Sequence, residues 1–146
     1  MIIVKNNIFA VGLFSVLGLS LGFLASVFVS LGEQFYQFGY ILVLVHTLIA
    51  MSLYYICGKK IIKADGLSIA LRFLSTISVI IILCLSVLLD TKSIPLWILP
   101  FYPTGILIER FLEVHGVTLK CILATLAYLP FFFGVIRQER TSTMSL

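Results

Sequence analysis

The sequence predicts an all-α integral membrane protein. The expected architecture is a four-transmembrane-helix bundle with a Pro-rich interfacial or re-entrant segment and a short amphipathic helix before the last span. Three observations predict it. Of the 146 residues, 61% are hydrophobic and 11% charged, with a mean hydropathy of +1.19. Soluble domains are nearer half apolar and a quarter charged, and so few polar groups cannot cover the surface of a soluble fold this small. Charge-poor apolar runs recur at or near the length of a bilayer core, and the basic residues gather between them unevenly. An ordinary cytosolic enzyme, a nucleic-acid binder and a disordered tail are excluded. A single membrane domain over 1–146 is expected.

Residues 8–31 carry no charge. As a helix they measure about 36 Å, more than the roughly 30 Å hydrocarbon core, so the first span is tilted. The run is too long for the apolar core of a secretory signal. A short polar turn at 32–37 leads to the second span, 39–57, which holds His46 and Thr47. A basic loop at 58–66 follows, bracketed by Gly58 and Gly66. The third span is 73–89, with Arg72 at its entrance, where a long side chain reaches the headgroups, and the polar stretch 90–93 ends it. The last span is 117–136, with Lys120 near one end and Pro130 inside, and the tail is short and polar.

Between the last two spans lies an apolar stretch containing Pro95, Pro100 and Pro103. Each proline deletes a backbone donor and interrupts a helix, and the 15 apolar residues 94–108 are short for a span. Residues 104–114 then read as an amphipathic helix, with Glu109, Arg110 and Glu113 on its polar face. The segment 94–115 is thus expected to dip into the interface and continue as a surface helix. A fifth span is the alternative.

Orientation follows from charge. With four spans and an inner N-terminus, seven basic residues lie inside (Lys5, Lys59, Lys60, Lys63, Arg72, Arg137, Arg140) and three outside (Lys92, Arg110, Lys120). Five spans give the same ratio, so length and prolines decide. The expected localisation is the cell (inner) membrane, multi-pass, with both termini cytoplasmic. Tyr36, Tyr40, Trp97 and Tyr102 are expected at the outer interface, and Tyr54 and Tyr55 at the inner one.

Few residues stand out for function. Gly18, Gly22, Ser26 and Ser30 repeat every four residues, and small residues let helices approach closely in lipid. Gly18, Gly22 and Ser26 are expected at a helix contact, within the chain or in a homo-oligomer. His46 is an intramembrane polar group that needs a hydrogen-bond partner, such as Ser78. A pore-lining or proton-sensitive role is the sharper alternative. Lys59, Lys60, Lys63 and Arg72 form a basic rim for anionic lipid or a soluble cytoplasmic protein. Glu109 and Glu113, with His115 nearby, supply too few ligands for a metal, and the dispersed Cys57, Cys84 and Cys121 read as small hydrophobes.

No catalytic, cofactor or metal residues are assigned, and partners are limited to the bilayer, further copies of the chain and a protein at the basic loop. No span holds a central carboxylate, which disfavours proton-coupled transport, and no nucleotide-binding, hydrolase or zinc motif occurs. The expected function is a non-enzymatic membrane protein acting by association, as a sensor, an immunity or phage-defence component, or an accessory subunit. The alternatives are an oligomeric ion channel or holin-like pore, and third, a lipid-modifying enzyme.

Overall fold

The computed structural model describes residues 1–34, 39–89 and 95–138, apart from the side chains of 32–34. The expected turn around Tyr36, the polar stretch 90–93 and the tail beyond Gln138 lie outside these residues. Every regular element among the described residues is helical: α1 (Ile2–Gln34), α2 (Gly39–Ile61), α3 (Ile69–Leu74), α4 (Ile77–Leu89), α5 (Tyr102–Leu112) and α6 (Gly116–Ile136), with one 3-10 turn at Leu99–Phe101. Three of them are long and apolar enough to cross a membrane, over Ile2–Leu31, Gly39–Ile61 and Gly116–Ile136.

Two helices outrun their expected bounds. No proline occurs before Pro95, so nothing in the chain stops α1 from starting at Ile2 or α2 from running through Gly58 to Ile61. Gly58 is therefore a helix residue, not the edge of a loop.

The expected third span, 73–89, is divided. α3 ends at Leu74 and α4 begins at Ile77. Between them, Ser75 Oγ donates to the Arg72 carbonyl at 2.7 Å and Thr76 Oγ1 to the Phe73 carbonyl at 3.1 Å. Hydroxyls that bond back onto the preceding turn compete with the helical ladder and bend it. α4 alone has 13 residues, about 20 Å, short of a bilayer core.

α2 and α6 share the most extensive contact in the bundle, and two glycines make it close. A Cβ on Gly58 would strike the Phe131 carbonyl oxygen, and one on Gly134 would strike the Tyr55 carbonyl oxygen. Beside this crossing lies an aromatic core. Phe14 stacks obliquely on Tyr54 at 4.7 Å and meets Phe131 edge-on at 5.0 Å, while Tyr54 lies 5.9 Å from Phe101. Tyr54, expected at an interface, is fully buried.

The Pro-rich stretch packs into this core. Ile98, Pro100, Phe101, Pro103 and Gly105 are all buried, against α1, α2 and α6. Phe101 faces Tyr54, which in turn stacks on Phe14. α5 then leads back to the end of the bundle where α2 begins, with Phe111 against Tyr40. The return into α6 uses two left-handed residues, Glu113 (φ 53°) and Gly116 (φ 64°).

Candidate functional site

Among the described residues, two groups of polar side chains turned into the bundle tie separate elements together. The central one joins α2 to the Pro-rich segment. His46 is fully buried, and its Nε2–H donates to the Pro100 carbonyl at 2.9 Å. A carbonyl only accepts, so Nε2 carries the proton and Nδ1 is left as an acceptor without a partner. The next residue, Thr47, donates to the Val43 carbonyl and bonds the Thr104 hydroxyl at the start of α5. His46 also stacks obliquely on Phe28 of α1, 5.1 Å between ring centres. The partner is a backbone carbonyl, not a hydroxyl of a neighbouring span, and Ser78, the example expected, is elsewhere. Its N–H donates to Asn7 Oδ1 at 3.0 Å, at the far end of the bundle.

That far end holds the second group, where helix ends are tied by side chains. Asn6 Nδ2 donates to the Lys63 carbonyl at 2.8 Å. Asn7 accepts from Ser78 N–H and donates to the Leu74 carbonyl at 3.1 Å, bridging the break between α3 and α4. Gln138 donates to the Gly58 carbonyl at 3.1 Å and to the Ile62 carbonyl, and accepts from Ala64 N–H at 2.8 Å. Arg72 is buried. Its Nε donates to the Leu67 carbonyl at 3.0 Å, and Nη1 donates to the carbonyls of Val135, at 3.2 Å, and Ile136. The last carbonyls of a helix have no partner within it, so Arg72 closes the C-terminus of α6. It does not extend to solvent as expected.

The basic residues Lys5, Lys59, Lys60, Lys63 and Arg137 are exposed at this same end. Lys5 and Lys63 line a cleft of about 450 Å³ together with Ile2, Asn6, Phe9 and Ile61. A second cleft, of about 380 Å³, lies between α4 and α6. Its lining is almost wholly apolar and includes Leu83, Val87, Cys84, Cys121 and Thr125. All three cysteines are free, and Cys84 and Cys121 are exposed.

Gly18 and Gly22 are buried on α1, and both face the Pro-rich segment. A Cβ on Gly18 would sit 2.8 Å from the Leu96 carbonyl oxygen, and one on Gly22 would sit 2.7 Å from a Leu99 methyl. Ser26, on the same stripe, is exposed and bonds back to the Phe23 carbonyl. Glu109 pairs with His115 at 2.8 Å on the surface. Among the described residues, no group of three His, Cys, Asp or Glu side chains is arranged to hold a metal.

Asn6, Asn7 and Gln138 were not singled out by sequence reasoning. The one available signal was a pair of adjacent carboxamides at the head of a long apolar run. The chain matches no family model, no curated protein and no solved structure.

Proposed function

We propose that the chain is a multi-pass membrane protein that acts by association, as a sensor, immunity or accessory subunit, and performs no catalysis. The passes are α1, α2, α3 with α4 taken together, and α6, and the Pro-rich segment is a re-entrant element between the last two. Residues 69–89 cover 21 positions, enough for a bent pass. The excess of basic residues at the end holding Lys5, Lys60, Lys63 and Arg137 makes that end cytoplasmic.

The observation that carries the reading is the use to which inward polar groups are put. His46, Arg72, Asn6, Asn7 and Gln138 bond to backbone of other elements, and Thr47 to the Thr104 hydroxyl, so they hold the bundle together. One surface left for work is the apolar cleft between α4 and α6, which suits a membrane-embedded partner, a second copy of this chain included.

Cys84 and Cys121 provide native probes of that cleft. Oxidative cross-linking in membranes is expected to give a discrete adduct that Cys84→Ser or Cys121→Ser removes. Monomer alone after oxidation would overturn association through this face. Orientation is checked by single cysteines at Lys60 and Glu113, in a background without native cysteines. They are expected to label from opposite sides of the membrane.

One feature favours a second reading, an oligomeric pore. Non-helical backbone at membrane depth is tolerated where it is buried in protein or lines water, and the stretch before α5 is of that kind. Conductance in proteoliposomes that His46→Leu alters would favour the pore over the accessory subunit.

A further inference from the structure

We propose that the cleft between the start of α1 and the end of α2 is a binding site for one anionic phospholipid. Its phosphate lies between Lys5 and Lys63, and an acyl chain runs along Ile2, Phe9 and Ile61. The inference rests on the membrane reading above and adds a ligand class and a defined place on the basic end.

Four observations point there. The cleft, about 450 Å³, takes one cation from α1, Lys5, and one from the segment just past α2, Lys63. Asn6 bridges the two walls by donating to the Lys63 carbonyl, so the backbone that carries Lys63 is tied to α1 one residue from Lys5. The remaining wall is apolar and open, with Ile2, Phe9 and Ile61 each about half exposed. It continues into the exposed apolar face of α1 at Val4 and Ile8. Lastly, the Lys5 ammonium lies over the Phe9 ring, 5.8 Å from its centre, at the junction of the charged and apolar parts.

A site with cations at one edge and apolar wall at the other matches an anionic amphiphile. A soluble anion would use the lysines and leave Phe9 and Ile61 in water. Arg72, although basic and at the same end, does not line the cleft: its side chain is buried, with Nε and Nη1 donating to carbonyls of Leu67 and the end of α6.

The experiment titrates delipidated protein in detergent with phosphatidylglycerol or phosphatidylcholine, reading bound lipid by native mass spectrometry. Each basic residue near an anionic headgroup is worth about fivefold, so Lys5→Gln with Lys63→Gln should weaken phosphatidylglycerol binding about 30-fold at low salt. Phosphatidylcholine binding should stay within about twofold. The control pair, Lys60→Gln with Arg137→Gln, removes the same charge at the same end outside the cleft and should change the affinity less than about threefold. Should the double variant fail to fold, Phe9→Ala supplies a second test, and it should weaken phosphatidylglycerol without altering its salt dependence.

Equal weakening by both charge pairs would overturn the site and leave diffuse attraction. Displacement of the lipid by glycerol phosphate at similar concentration would also overturn it, in favour of a soluble anion. Extraction of the wild type with alkaline carbonate tests the membrane reading separately, because a peripheral protein is released whatever lipid it prefers.

Discussion

His46 and Pro100, 54 positions apart, are joined by a hydrogen bond of 2.9 Å from Nε2 to the carbonyl oxygen. The bond ties the first half of α2 to the 3-10 turn of the Pro-rich segment. The Pro100 carbonyl lies where the chain is neither strand nor α-helix, and burial denies it water. His46→Leu should therefore cost about 1–3 kcal/mol, the penalty of an unsatisfied buried acceptor. His46→Asn keeps a donor and should recover part of the loss. Thermal unfolding in detergent measures both, and equal stability of wild type and His46→Leu would show the bond to be dispensable.

The stripe on α1 makes a graded demand. A Cβ at Gly18 meets backbone, the Leu96 carbonyl, while one at Gly22 meets the end of the Leu99 side chain. Side-chain ends move more cheaply than backbone, so Gly18→Ala should destabilise more than Gly22→Ala. Overpacking of this kind costs about 1–3 kcal/mol. Oligomer mass in detergent should be unchanged in both, because the contact is within one chain. A drop in mass with unaltered melting would place the stripe between subunits instead.

Gly134 and Gly12 are both helical glycines, and they should respond in opposite directions. Gly134→Ala drives a methyl into the Tyr55 carbonyl and forces α2 and α6 apart, whereas a Cβ at Gly12 meets nothing within 4 Å. The first should cost about 1–3 kcal/mol or more. The second should gain about 0.5–1 kcal/mol by restricting the unfolded chain. Paired melting curves decide it, and a neutral Gly134→Ala would mean that the crossing is wider than described.

Arg72 holds the last carbonyls of α6. Removing it leaves buried acceptors open, so Arg72→Gln should cost about 3 kcal/mol. Arg72→Lys should recover less than half, since an ammonium lacks the planar fork that reaches separate oxygens. Phosphatidylglycerol affinity should be nearly unchanged in Arg72→Lys. A large loss of that affinity with stability intact would make Arg72 part of a lipid rim after all.

The apolar runs by themselves determined that the chain is helical, with helices long and apolar enough to cross a membrane, because a bilayer core demands about 20 apolar residues with internal backbone bonding. They located α1, α2 and α6 to within a few residues at most ends. Two kinds of information were not local. The break at Ser75 and Thr76 depends on hydroxyls choosing backbone acceptors, and serine or threonine inside an apolar run is compatible with an unbroken helix as well. Arg72, His46 and Tyr54 each read as interfacial or weakly partnered in sequence, since a side chain shows its type there but not its neighbour. Only tertiary packing set Arg72 against the end of α6, His46 against Pro100, and Tyr54 between Phe14 and Phe101. The physical reason is common to all three. A hydrogen bond or ring contact between residues 40 or more positions apart is fixed by how helices cross, and the crossing depends on glycines whose meaning in sequence is only that no side chain stands there.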